Sequence, residues 1–508
     1  MDLTLPKAFG EKRQLWLLIA LYFSLRLIFL TRLPVFNDEA IYLDWAWRQL
    51  HLPGQLFFSL HDGKPPLLLW IFGIFAEIIP DPLLAGRLVS VLAGGLTLGG
   101  IYLVAKKFFE PKIAVWASLL YIVIPIFSFF DRQALMEAGL ATIDLWLLYF
   151  LLSLIQKPEK RTAIFLGVIL ALGIFIKTSA FLFTVSFILI LVWQLKSPAF
   201  QKRQQIGKNL SLILATTLIV LTPLWLQKAF WWGLSGNSRY TLTFSELGQV
   251  PLTTWFKNGR DLLELLFWQL TPLVFGLGLL GLVGVFKSKN QGQKLIGFWL
   301  TSQLLFLVIL ARQLSPRYLV SFLAPWLVLA SFGLERTFNF RWRWLVLALT
   351  LVLPIYLTGL QIFSPLNYFA ILSRFTQFSQ KQAYVTGWPS GYGINEVRQF
   401  LEEKARLNPL IVGVRLDSGN PENAILAYYH RNQQIQSIYF DSRLWPNLSQ
   451  VDCLKMKQPF YFVSRDRQLG GMERFLQEEA RFYKSGGESS IGIYSLKPCN
   501  QEGRPLIL

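Results

Sequence analysis

Between residues 35 and 69 the chain reads VFNDEAIYLDWAWRQLHLPGQLFFSLHDGKPPLLL, an apolar stretch that carries Asp38, Glu39, Asp44, Arg48, His51, His61, Asp62 and Lys64. A carboxylate at the start of such a stretch can take a proton from an attacking group, and an ammonium entering a Pro-Pro turn can neutralise a phosphate. Beside a membrane, the combination suggests a site handling an anionic, lipid-linked group. The same residues also have a structural reading. Asn37 can cap a helix whose first turn holds both acids, where the helix dipole favours negative charge, and Asp44 with Arg48 forms an i, i+4 pair. Location favours function for Asp38 and Glu39, because carboxylates at a membrane-facing cavity are expensive and are usually kept for a task.

Further titratable groups recur at the edges of apolar runs. Asp131, Arg132 and Glu137 share the short connection 131–137, and Asp144 lies one to two turns deeper. Lys177 opens a polar break, Lys-Thr-Ser, between two apolar runs, while Arg87, and then Arg317 with Tyr318, stand at the start of others. Each alone is explained as an interfacial anchor. Five cations converging on one face, Lys64, Arg87, Arg132, Lys177 and Arg317, are a candidate anion site. His61 and Asp62 share the loop with the acid pair, and carboxylates suit a hard divalent cation. With three histidines and no HxxxH spacing, no metal is expected to be required.

The elements that must position these groups are membrane helices. Of 508 residues 53% are hydrophobic and only 16% charged, below the roughly 25% of soluble domains. A bilayer core needs about 20 apolar residues per helix, and the chain supplies that pattern about eleven times, ending near residue 363. The residues 66–79 are too short to span and read as an interfacial or re-entrant helix. The formal charge of +19 would suggest nucleic acid in a soluble protein. Here the basic residues fall in short alternate loops, such as Lys106, Lys107 and Lys112 or Lys287, Lys289 and Lys294, all on one side if the amino terminus is cytoplasmic. That sidedness places segment 32–86, connection 131–137, loop 229–262 and everything after 364 outside. No cleavable leader is evident. From 364 to 508 charges become frequent and apolar runs shrink. Strands are expected at 382–387, 410–414, 436–440, 460–464 and 491–496, and helices at 395–406, 421–431 and 472–482, which together make a small outer α/β domain. Cys453 and Cys499 fall there, either as a disulfide or as two buried thiols. The domains expected are therefore 1–363 and 364–508.

The runs FNDEAIY, GKPPLLLW, GRLVSVLAGGLTLGGIYLVAKKFF, FDRQALMEAGLATIDLWLLYFLL, ALGIFIKTSAFLF and SPRYLVSFLAPW resemble, in that order, the polytopic GT-C glycosyltransferases. The similarity is to bacterial aminoarabinose transferases acting on lipid A and to protein O-mannosyltransferases, over roughly residues 10–335. It implies a polytopic helical bundle with an extracytoplasmic face and a polyprenyl-phosphate sugar donor. The acceptor would be a lipid, glycan or protein hydroxyl, and the location the plasma (inner) membrane. By that resemblance Asp38, with Glu39 beside it, would be the catalytic carboxylate and Glu137 the second acidic position. Lys64, Arg132, Lys177, Arg317 and Tyr318 would hold the donor phosphate. Single displacement at carbon 1 would invert the sugar, with no cofactor required. Two other readings remain, a transporter or flippase of lipid-linked substrate and a non-catalytic assembly protein. Charges clustered at one mouth rather than at the midplane of paired repeats speak against the first.

Overall fold

The computed structural model describes residues 7–195, 200–236, 239–415, 419–440, 458–469, 473, 475–487 and 489–497. Cys453 and Cys499 lie outside the described residues. By its contacts the chain forms two units. The first comprises Met1–Ile28, Leu56–Leu68 and Arg87–Ser364, and the second Phe29–Gln55, Leu69–Gly86 and Pro365–Leu508.

The first unit is helical. Among the described residues five helices are long and apolar enough to cross a bilayer: Pro82–Phe108, Glu137–Gln156, Gln204–Trp225, Gln291–Leu310 and Arg341–Phe363. Further apolar helices are shorter, among them Pro111–Val123 and Thr178–Gln194. Three apolar runs that read as continuous in the sequence are broken, one of them, 318–334, into Pro316–Val320 and Ala324–Thr337. The run 112–130 divides into Pro111–Val123 and Pro125–Phe130, because Ile124 precedes proline and takes the extended backbone (ψ 126°) that proline imposes on its neighbour. The run 263–286 is not one helix either: Leu252–Leu270 and Pro272–Lys287 meet at 115°, and Thr271 turns the corner with φ +73°.

Without a hydrophobic force between helices in lipid, small residues let backbones approach. Pro272–Lys287 and Ala324–Thr337 show this directly. A Cβ on Gly281 would lie 1.8 Å from the Leu329 carbonyl oxygen, and one on Gly333 would lie 2.2 Å from that of Leu277. Trp326 Nε1 donates to the Val274 carbonyl across the same contact at 3.2 Å.

Among the described residues the second unit holds a five-stranded mixed sheet in the order β2-β1-β3-β5-β4. The strands are β1 (Leu410–Arg415), β2 (Ile435–Phe440), β3 (Phe460–Arg465), β4 (Leu476–Tyr483) and β5 (Ser490–Leu496). β1 runs parallel to β2 and β3, with the helix Glu422–Tyr429 lying between β1 and β2 in the chain, whereas β5 is antiparallel to β3 and β4. Phe460, Phe462, Leu469, Leu476 and Tyr494 form its core. Two expected elements differ. The stretch 472–482 is β4 from Leu476 onward, not a helix. Its Leu-Gln-Glu-Glu-Ala-Arg run favours helix, but Gly486 and Gly487, both at positive φ, turn the chain so that 476–483 pairs with β5. The stretch 382–387 is a π-helical turn, Gln382–Thr386, rather than a strand, and Tyr384 stacks between Phe36 (4.3 Å) and Phe369 (5.6 Å).

Candidate active site

In the helical unit a carboxylate collects two of the expected cations. Glu137 opens the helix Glu137–Gln156 and is fully buried. Its Oε1 accepts from Lys177 Nζ at 2.9 Å and from Arg317 Nε at 3.2 Å, with Nη2 also at 3.2 Å. Lys177 follows the end of Lys160–Ile176, where the polar break of the sequence interrupts two helices, and Arg317 sits on the short helix Pro316–Val320 behind a proline at its first turn. The Lys177 ammonium is 5.8 Å from the Tyr318 ring centroid. Burial, joined by the positive charges of Arg317 and Lys64, pushes that ammonium below its ordinary value, and Glu137 opposes the shift. Two cations therefore share one carboxylate oxygen, and the charge of Lys64 bears on one of them, which leaves a positive surplus suited to an anion. Glu137 Oε2 is buried with no protein partner among the described residues.

The loop carrying Lys64 is held by backbone contact. Gly63 (φ +69°) ends the turn Phe58–Asp62, and a Cβ on Gly233 would lie 2.6 Å from the Gly63 Cα. Asp62 accepts from Arg239 Nη2 at 2.9 Å, and the Lys64 ammonium lies 5.2 Å from the Tyr240 ring centroid. Tyr240 is in turn fixed by its carbonyl, which accepts from the Arg312 amide at 2.9 Å. Beyond it Glu246 caps its own short helix: the Thr243 amide and hydroxyl, then Arg312, hold its carboxyl down to about 2. Tyr240 is legible in the sequence as one of the aromatics of loop 229–262, suited to the interfacial belt or to stacking on a sugar, whereas Arg239 carried no signal because its partner Asp62 is far along the chain.

The five cations do not form one group. Arg132 Nη1 donates to the carbonyls of Leu25, Arg26 and Ile28 at 2.8 to 2.9 Å, so it closes the end of the helix Lys7–Leu27 rather than joining Lys177 and Arg317. Arg26 and Arg87 are its charged neighbours. Asp131 is likewise structural. Its carboxylate takes Arg26 Nε at 3.1 Å, Tyr22 at 3.3 Å and Tyr121 at 3.0 Å, all buried. Gly94 makes room for this knot, since a Cβ there would lie 2.1 Å from the Tyr22 hydroxyl. Asp144 is buried deeper in its helix, where Trp299 Nε1 and Gln303 Nε2 donate to its Oδ1 at 2.9 and 2.8 Å.

The second unit carries Asp38. The helix Asn37–His51 has both acids in its first turn, but Asn37 does not cap it. The cap position is Phe36, and Glu39, fully buried, reaches back so that its Oε2 accepts the Phe36 amide at 2.9 Å. Glu39 therefore serves the helix start, as an acid three residues past a cap does. Asp38 is half-buried, and Asn37 Nδ2 donates to its Oδ1 at 3.1 Å. One turn on, the expected Asp44–Arg48 pair forms at 3.1 Å. What spacing concealed is how much else Asp44 holds: His430 Nε2 at 2.6 Å, Asn423 Nδ2 at 2.7 Å and the Tyr439 hydroxyl at 2.8 Å. Burial alone would raise its carboxyl, yet the bonds from His430 and the charge of Arg48 carry it below the ordinary carboxylate range. Trp47 stacks on His430 with ring centroids 4.0 Å apart.

Residues 63–226 match a family described as dolichyl-phosphate-mannose-protein mannosyltransferase. Among curated proteins, none matches the sequence. The fold is similar to ArnT from Cupriavidus metallidurans bound to undecaprenyl phosphate, at 14% identity and a TM-score of 0.59, over 94% of this chain and 97% of that one. The apo form of the same ArnT gives 0.60 at 14% identity, over 96% and 98%. Archaeoglobus fulgidus AglB, an oligosaccharyltransferase in complex with an inhibitory peptide and a dolichol-phosphate, gives 0.52 at 13% identity, over 90% of this chain and 69% of that one. The chain thus has a GT-C type fold resembling ArnT, with a small C-terminal sheet, and is a multi-pass membrane protein.

Proposed function

We propose that this protein is a glycosyltransferase that moves a sugar from a polyprenyl-phosphate carrier to a hydroxyl of a lipid, glycan or protein. The observation that carries the reading is the pairing of Lys177 and Arg317 on Glu137, with the charge of Lys64 bearing on Lys177, in a fold similar to that of ArnT bound to undecaprenyl phosphate.

The chemistry sets the roles. The donor is a phosphodiester with one negative charge, and the departing carrier phosphate gains a second as the bond from carbon 1 to oxygen breaks. Cations already in place favour that developing charge without reorganising. Lys64, Lys177 and Arg317 take this role, Tyr318 lines it, and Glu137 fixes the two cations that it bonds. The acceptor hydroxyl attacks carbon 1, its proton passes to the Asp38 carboxylate, and the electron pair of the broken bond stays on the phosphate. One displacement inverts the anomeric centre. The basic short loops support a cytoplasmic amino terminus and an extracytoplasmic reaction. A general base contributes about 10² to 10⁴ in rate. Purified Asp38→Asn protein is therefore expected to transfer labelled sugar from polyprenyl phosphate at least about 10² more slowly than wild type. Equal rates would remove Asp38 from the chemistry.

A further inference from the structure

We propose that Asn37 is a positioning residue for Asp38, oriented by the backbone of Asn420. The inference rests on the reading of Asp38 as the proton acceptor, and it is drawn entirely from contacts within the second unit.

Asn37 is 8% exposed and every polar group of its side chain has a stated task. Its Oδ1 accepts the Asn420 amide at 3.0 Å. A backbone N–H can only donate, so the atom facing it must be the carboxamide oxygen, and the amide cannot be flipped. That choice turns Nδ2 toward Asp38 Oδ1, where it donates at 3.1 Å. The Asn37 backbone is pinned as well, its amide donating to the Pro389 carbonyl at 3.0 Å. Asn420 is held in place by its own side chain, whose Nδ2 donates to the carbonyls of Val35 and Pro389, both at 3.0 Å. The approach is close enough to demand glycine on both sides. A Cβ on Gly419, whose φ is +125°, would stand 1.9 Å from Asn37 Oδ1, and one on Gly391 would stand 2.1 Å from the Val35 carbonyl. The carboxylate proposed to take the proton is thus aimed by segments 387–393 and 419–423, more than 300 residues further along the chain.

The Asn37→Asp variant tests this, because its oxygen still accepts the Asn420 amide while the donor to Asp38 is lost. A hydrogen bond to a charged group corresponds to about a tenfold change. The expected result is a fall of about tenfold in kcat with the donor KM unchanged. In an Asp38→Asn background the same substitution is expected to cost nothing more, since a residue acting through its neighbour is not additive with it. Wild-type kcat in Asn37→Asp, or full additivity, overturns the proposal. A second measurement needs no turnover: mass-spectrometric labelling of Asp38 with a water-soluble carbodiimide and an amine, expected to be about tenfold faster in Asn37→Leu. Unchanged labelling overturns the contact itself. A wild-type protein that labels as expected but transfers no sugar would sink the functional reading and leave the hydrogen bond standing.

Discussion

Lys177 and Glu137 show how a side chain that looks like an interfacial anchor becomes part of a buried ion cluster. In the sequence Lys177 merely interrupts two apolar runs, while in the fold its ammonium and the Arg317 guanidinium share one carboxylate oxygen. Removing the ammonium by Lys177→Met is expected to raise the donor KM and to lower kcat, together about tenfold or more in kcat/KM, because a charge-assisted contact is lost both to the bound donor and to the departing phosphate. The opposite substitution of the orienting acid, Glu137→Gln, is expected to lower kcat with less effect on donor binding, since the cations remain but lose their alignment. Steady-state kinetics on purified protein separates the two, and identical KM and kcat changes would contradict the division of roles. A different residue reports on pH. Lys484 is buried, donating to the Trp388 carbonyl at 2.6 Å and to that of Ser390, and burial pushes its ammonium down to about 7. A lysine in an unfolded chain titrates near 10.4. Between those values the unfolded chain holds a proton that the folded one has released, so stability rises with pH through that window and is lost as pH falls through it. Thermal unfolding between about pH 7 and about pH 9 is expected to show this slope in wild type and a shallower one in Lys484→Met. Parallel slopes would rule the lysine out.

At the scale of elements, the helical unit depends on breaks and close approaches more than on span length. Thr271 and Pro272 turn one apolar run through 115°, and Gly281 with Gly333 brings two helices to backbone contact. Gly281→Leu is expected to destabilise by about 1–3 kcal/mol or more, the range of overpacked cores, read as a lower melting temperature in detergent. A melting temperature equal to wild type would mean that the helices can part at no cost. The loop of Lys64 follows the same logic through Gly63 and Gly233, where a side chain on Gly233 would meet the Gly63 backbone at 2.6 Å. Periodicity and apolar length marked nearly all of these helices in the sequence. It missed the corner at Thr271 because a threonine at positive φ has no compositional mark, and it missed β4 because helix propensity is a weak prior against strand pairing.

At the scale of the whole chain, the second unit is assembled from three separate stretches, Phe29–Gln55, Leu69–Gly86 and Pro365–Leu508. The helix Asn37–His51 bonds to the sheet segment through Asp44, Asn37 and their partners His430, Asn423, Tyr439 and Asn420. A chain truncated after Ser364 therefore leaves 29–55 without those partners. Limited proteolysis is expected to cut the truncated protein within 29–55 at protease levels that leave the full chain intact. Equal resistance would show that this stretch folds without the sheet. Tag accessibility in intact cells checks the proposed sidedness, with residue 38 expected to be reached from outside.

Composition and periodicity by themselves determined that the chain is a helical membrane protein with a small C-terminal sheet, because burial in lipid demands apolar length and a soluble sheet demands short strands. The acid pair, the Lys-Pro-Pro turn and the polar break at Lys177 were also legible, since each is a charge out of place in an apolar run. Only the tertiary structure decided which charges work together. It sent Arg132 to a helix end and Asp131 to a tyrosine and arginine knot, left Lys177 and Arg317 on Glu137 and Lys64 beside Tyr240, made Glu39 a helix cap and set Asn420 behind Asn37. The physical reason is common to all of them. A buried polar group must find a partner wherever the fold brings one, and that partner's distance along the chain has no limit that spacing can reveal.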